Sequence, residues 1–118
     1  MIQSFRDLKV YEKSMEMVEE VYRLTKRFPK EEQFALTSQI TRACVSIPAN
    51  IAEGYAKKES IAEFKRFLLM AGGSANEMQV LIEVSVRLGY VEKEHGAELI
   101  KGYEEIGKMI GGLIKAWK

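Results

Sequence analysis

Apolar residues recur along the chain at the 3.6-residue period of an α-helix, in four blocks separated by short polar breaks. In the first, from about Leu8 to Phe28, Leu8, Tyr11, Met15, Val18 and Tyr22 form one stripe. Val10, Met17, Val21, Leu24 and Phe28 form a second beside it. Together they cover about 200° of the helix, where an ordinary surface helix shows ~100°. Charged residues such as Glu12, Glu16, Glu19 and Arg23 fill the rest. A face that broad predicts burial against two surfaces, the interior of a bundle and a second subunit. Ser4 or Asp7 can cap the start with a side-chain oxygen, and Pro29 pushes Phe28 out of helical geometry.

The second block runs from about Phe34 to Ala56, with Leu36, Ile40, Ala43, Cys44, Ile47, Ile51 and Tyr55 on one side. Pro48 lies inside it, where it removes a backbone bond and crowds the preceding turn. A kinked continuous helix is expected; two helices meeting at Pro48 is the alternative. Ser60 opens the third block, and Glu63 completes a capping-box pattern. Phe64, Phe67, Leu68, Ala71, Ala75, Met78, Ile82 and Val86 keep the period up to Gly89, a C-terminal stop. The small patch Gly72-Gly73-Ser74-Ala75 fits either a loop or the close approach of a neighbouring backbone. The phase carries through it, which favours one long helix. The fourth block, about Glu92 to Trp117, presents Leu99, Ile100, Tyr103, Ile106, Ile110, Leu113, Ile114 and Trp117. Gly107 and Gly111 sit at the edge of that face, suited to close helix contact or merely softening the helix. Short links between long helices force antiparallel neighbours. The expected architecture is all-α: one domain, residues 1–118, forming an antiparallel up-down-up-down four-helix bundle.

At 118 residues, with 47% apolar and 30% charged residues, the chain has the composition of one globular domain rather than a disordered segment. The single cysteine, Cys44, excludes an internal disulfide framework. No stretch has the apolar length of a membrane span or of a signal-peptide core, so a soluble, cytoplasmic protein is expected.

Catalytic chemistry finds little footing. His95 is the only histidine, which cannot build the paired Glu-x-x-His motifs of a di-iron bundle or a Cys/His zinc site. The phase of Cys44 puts its thiol in the core, as an inert small hydrophobe. Gly72-Gly73-Ser74 lacks the following lysine of a phosphate-binding loop. No enzyme, no metal and no cofactor are expected.

The back of the second helix is unusual. Gln39, Arg42, Ser46, Ala49, Asn50 and Glu53 recur at helical spacing, yet solvated faces are usually richer in Lys and Glu. A solvated face and a semi-buried polar network are the two readings. In the network reading Ser74 and Glu77 of the third helix are the partners, and Asn50 and Glu53 are mostly buried and hydrogen-bonded. Such a network fixes register more than it adds stability.

Several of these segments together resemble one family. They are Phe5-Arg6-Asp7-Leu8-Lys9-Val10, the Phe28-Pro29 stop, the block SQITRACVSIPANIAEG (Ser38 to Gly54), Phe64 through Leu69, and Ala71 to Ala75 with Glu77. The family is that of four-helix bundles encoded in intervening sequences of bacterial 23S rRNA genes. The resemblance spans nearly the whole chain and implies a cyclic homo-oligomer, a pentamer, without an established activity. A looser architectural similarity to the accessory variability proteins of diversity-generating retroelements adds RNA or DNA, and a nucleic-acid-processing protein, as partners to consider.

Charge placement bears on the same question. The formal net charge is only +1. In an up-down-up-down bundle, residues 1–13, 53–66 and 108–118 share one end, and they carry ten basic against five acidic side chains. The candidate phosphate-binding residues there are Arg6, Lys9, Lys57, Lys58, Lys65, Arg66, Lys115 and Lys118. A ring of parallel subunits would gather these ends on one rim. The expected function is that of a non-catalytic, homo-oligomeric nucleic-acid or ribonucleoprotein accessory factor; the alternative is a protein-binding adaptor.

Overall fold

A computed structural model describes residues 1–117, and the expectation for Lys118 lies outside them. Four helices form: α1 (Lys9–Thr25), α2 (Leu36–Ala56), α3 (Ile61–Arg87) and α4 (Lys93–Ala116), with 3-10 turns at Phe5–Asp7 and Lys30–Glu32. No strand occurs among the described residues. The molecule is a rod of 44 × 25 × 20 Å. At 1.5 Å per residue the 27 residues of α3 span roughly 40 Å, nearly its full length.

The helix ends show local rules at work, and some departures. Ser4 and Asp7 do form a reciprocal cap, but around the Phe5–Asp7 turn rather than α1. Ser4 Oγ accepts from the Arg6 N–H at 3.1 Å, and Asp7 accepts from the Gln3 N–H at 2.8 Å. Leu8, which precedes α1, has no capping side chain to offer. Ser60 caps α3 by accepting from the Glu63 N–H at 3.2 Å. Only this half of the expected capping box forms, because the Glu63 carboxylate turns to the Arg66 guanidinium at 3.0 and 3.2 Å. Gly89 ends α3 with φ +83°, a left-handed conformation that lets the Tyr90 N–H reach back to the Ser85 carbonyl at 2.9 Å.

Both contested helices are continuous. α2 runs through a buried Pro48, so the Cys44 carbonyl four residues back loses its usual backbone donor. α3 runs unbroken through Gly72-Gly73-Ser74.

The core is one cluster threaded by all four helices, including Val21, Ile47, Phe64, Leu68, Met78 and Tyr103. The α2–α3 pair packs over the longest front, and α1–α4 over the shortest. Close approach occurs at glycines other than those expected. A Cβ on Gly54 of α2 would stand 2.8 Å from Phe67 Cβ of α3, and one on Gly102 of α4 would stand 2.8 Å from Met17 Cε of α1. At Gly73, Gly107, Gly111 and Gly112 nothing lies within 4 Å, so those glycines admit no neighbour within the chain.

The broad apolar face of α1 is largely absorbed inside the chain. Its second stripe is buried throughout; of the first, Leu8 is buried, Tyr11 and Val18 are half-buried, and Met15 and Tyr22 are exposed. Larger apolar exposure lies elsewhere, at Phe34 (89% exposed) and on α3 at Leu69 (64%), Val80 (61%) and Leu88 (54%).

Candidate functional site

The two ends of the rod are tied differently. At one end Phe28 packs against Tyr90, ring centroids 5.4 Å apart. Glu32 there accepts from the Tyr90 hydroxyl at 2.9 Å and from the first N–H of α2, Leu36, at 3.3 Å. That hydrogen bond to a carboxylate pushes the Tyr90 phenol above its ordinary pKa. A single carboxylate thus caps α2 and holds the α3–α4 corner.

The other end carries the predicted cations. Trp117 stacks edge-on against Phe64 at 4.7 Å and Tyr55 at 6.3 Å, which brings the end of α4 onto the α2–α3 corner. Ile2, Leu8 and Lys9 share a cleft of about 520 Å³ with Met109, Leu113 and Ala116, which brings the N-terminal segment there too. The elements bearing Arg6, Lys9, Lys57, Lys58, Lys65, Arg66 and Lys115 therefore converge. All of these side chains are exposed except Lys65, which is half-buried.

Four of them lie over aromatic rings. The Arg6 guanidinium sits 4.5 Å from the Phe5 centroid, and Lys58 Nζ sits 4.4 Å from that of Tyr55. Lys57 and Arg66 share the ring of Phe67, at 5.6 and 4.5 Å. The ring faces orient the cations while leaving them open to solvent. Phe67, assigned from its period to the core, is half-buried and serves as this platform. Arg66 is not free, because its pair with Glu63 holds the Glu63 carboxyl below its usual range. Lys13, counted with this end, pairs with Glu105 at 3.5 Å.

The polar stripe of α2 meets α3 in a second place. The Ser46 and Ser74 hydroxyls share a hydrogen bond of 2.6 Å, and Ser46 also bonds its own helix at the Ala43 carbonyl, 2.7 Å away. Gln39, Arg42, Ser46, Ser74 and Glu77 line one cleft of about 300 Å³. It adjoins a larger one of about 580 Å³ that adds Glu32, Phe34, Ser38, Val84 and Leu88. Helical spacing joins the first five residues but misses this extension. Its only signal is that Phe34, Val84 and Leu88 fall outside the core stripes. Asn50 is half-buried and donates to the Ser46 carbonyl within α2 at 2.8 Å. The expectation for Glu53 needs correcting: within the chain it is exposed, three residues on and rotated out of the helix interface. Gln39, Arg42 and Glu77 are exposed as well. No ion pair joins Arg42 to Glu77 among the described residues, although they line the same cleft.

The buried titratable groups are held neutral. Burial pushes the Cys44 thiol up to about 11, and its Sγ hydrogen faces the Thr41 carbonyl at 3.3 Å. Burial also raises the Tyr103 phenol, reinforced by the nearby Cys44 and Glu20. Its hydroxyl has no hydrogen-bond partner in the core. Neither is an activated nucleophile at neutral pH. Among the described residues no group of three or more His, Cys, Asp or Glu side chains gathers as a metal site. No helix there is long and apolar enough to cross a membrane.

No curated protein matches the chain. A crystal structure of a protein of unknown function from the S23 ribosomal protein family of Bacteroides thetaiotaomicron is similar to it, with 31% sequence identity and a TM-score of 0.81. The similarity covers 91% of this chain and 96% of that one. Residues 6–112 match the family model described as 23S rRNA-intervening sequence protein. That match takes in all of α1, α2 and α3 and most of α4, and the chain belongs to this family.

Proposed function

We propose that the protein is a non-catalytic, cytoplasmic homo-oligomer whose basic end holds the phosphate backbone of RNA or DNA, as an accessory to a nucleic-acid-processing complex. The observation that carries this reading is the convergence of Arg6, Lys57, Lys58 and Arg66 at one end, each laid over an aromatic ring. Ring-supported cations of this kind bind a polyanion without reading its sequence. In a ring of parallel subunits, the pentamer that the family resemblance implies, such ends would form one continuous basic rim. The buried, protonated Cys44 and Tyr103 fit a non-catalytic role.

The test is binding of fluorescently labelled single-stranded RNA and duplex DNA, followed by anisotropy across a salt series. Affinity should fall as salt rises, since displaced counterions drive such binding. Changing Lys57, Lys58, Lys65 and Arg66 together to Glu should abolish it. Absence of binding at low salt, or binding that survives the quadruple change, would overturn the proposal. The adaptor reading has its own support in the exposed Phe34, Leu69, Val80 and Leu88, and it predicts that a host protein rather than nucleic acid co-purifies.

A further inference from the structure

Two ion pairs lie along α3, and they differ in form. Arg87 reaches Glu83 with one nitrogen, at 3.1 Å. Arg66 reaches Glu63 with two: Nε donates to Oε2 at 3.0 Å and Nη2 to Oε1 at 3.2 Å. Its remaining nitrogen, Nη1, faces Met70 Sδ at 3.8 Å, and the guanidinium carbon lies 4.5 Å from the Phe67 ring centroid. Lys57 shares that ring from 5.6 Å. The hydrogen bonds from Arg66 hold the Glu63 carboxyl below its usual range, and the Lys57 ammonium adds to the effect. One carboxylate thus stands beside two of the cations assigned to the basic end.

A phosphodiester offers two non-bridging oxygens in the same fork as a carboxylate, so one edge of a guanidinium suits either. The edge of Arg66 best shaped for a backbone phosphate is therefore filled by a group of the same chain. The pair is open to water, its side chains 55% and 41% exposed, and pairs of that kind are held weakly. Glu63 also belongs to the first turn of α3, where the helix dipole favours an anion. A carboxylate left without Arg66 is not stranded there.

We propose that Glu63 is a tethered competitor at the basic end: its carboxylate occupies the place of a phosphodiester on Arg66, and binding of RNA or DNA exchanges one for the other. This deepens the nucleic-acid reading above and rests on it. Glu63 sets the affinity of the site without itself contacting the bound strand. Removing its charge leaves Arg66 open to phosphate from the outset.

The test is anisotropy with labelled single-stranded RNA and duplex DNA at low salt, using the full chain. Glu63→Gln keeps the length of the side chain and should keep the helicity seen by circular dichroism. Glu59→Gln is the control, because Glu59 is exposed in the adjoining α2–α3 link and joins no ion pair among the described residues. Both changes remove one negative charge near the site. Glu63→Gln should tighten binding about two- to fivefold beyond the control, the range expected for freeing one partner of an exposed pair. In an Arg66→Gln background that excess should vanish, since Glu63 acts through Arg66. Arg66→Gln alone should weaken binding less than the same change made beside Glu63→Gln. A wild type that binds neither probe overturns the nucleic-acid reading and this inference together. A wild type that binds, with Glu63→Gln no tighter than Glu59→Gln or with the excess surviving the loss of Arg66, overturns this inference alone.

Discussion

The α1–α4 side and the α2–α3 side of the bundle are built on opposite principles. Outward positions of α1 are densely charged with both signs, through Lys9, Glu12, Glu16, Glu19 and Arg23, and so are those of α4, through Glu94, Glu98, Lys101, Glu105 and Lys108. All of these are exposed. The outward positions of α2 carry charge only at Arg42 and Glu53, and those of α3 set Arg66, Glu77, Glu83 and Arg87 among small and apolar residues such as Leu69, Gly73 and Val80. Internally the order reverses: α2–α3 has the longest packed front and α1–α4 the shortest. The half that packs best inside is the one least suited to water outside. Local helix preference does not account for that asymmetry, because all four helices keep the same apolar period.

Gly54→Ala probes the tight half and should show the largest effect on stability. The new Cβ would meet Phe67 Cβ at 2.8 Å and the Phe64 backbone carbonyl at 3.3 Å, atoms that cannot move without shifting α3. Overpacking of this kind costs about 1–3 kcal/mol, to be read from urea unfolding. Gly102→Ala makes the same change on the loose side, and there the obstacle is the flexible tip of Met17. The side chain can swing away, and the helix gains up to about 1 kcal/mol from losing a glycine. Near-neutral or increased stability is expected. Equal losses at the two glycines would erase the contrast between the halves.

A smaller effect is expected from pH through Cys44 of α2. Its thiol ionises in the folded chain only near about 11, against an ordinary value of 9.0, because burial disfavours the thiolate. A raised thiol pKa means that stability from keeping the group neutral is complete below pH 9 and is lost as pH rises through about 11. Cys44→Ala should flatten that part of an alkaline unfolding curve. In the native protein at mildly alkaline pH, labelling by a thiol reagent should be no faster than unfolding. The smallest effect belongs to the α1–α4 pair of Lys13 and Glu105, whose side chains are 33% and 52% exposed. Lys13→Ala should change stability by less than about 1 kcal/mol.

The helices themselves were legible because their evidence is periodic and local. Four apolar stripes, Ser60 and Gly89 placed the elements, and phase alone carried α3 through its Gly-Gly-Ser patch. What could not be read was anything decided by a partner distant in sequence. Glu32 looks like one more surface carboxylate, yet it joins Leu36 to a tyrosine 58 residues away. Gly54 and Gly102 are indistinguishable by sequence from Gly107 and Gly111, although only the first two face another helix at close range. The Ser46–Ser74 link was legible from composition, since two small hydroxyl residues stood out on facing stripes. Glu53 belonged to the same stripe by spacing, but a further turn of the helix carries it off the α3 contact.

Trp117 offers a spectroscopic consequence. It is the only tryptophan, and it sits edge-on against Phe64 and Tyr55 at the tip of α4. The intrinsic emission of the protein therefore originates at one end of the rod. Tyr55 beneath it also carries the Lys58 ammonium on its ring. A polyanion that draws Lys58 away from that ring would alter the surroundings of the indole without touching it. Fraying of the last turn of α4 would lift the indole from Phe64 and shift its emission to the red while the far end of the bundle stayed folded. The molecule thus has a built-in optical gauge of its basic end, readable without any label.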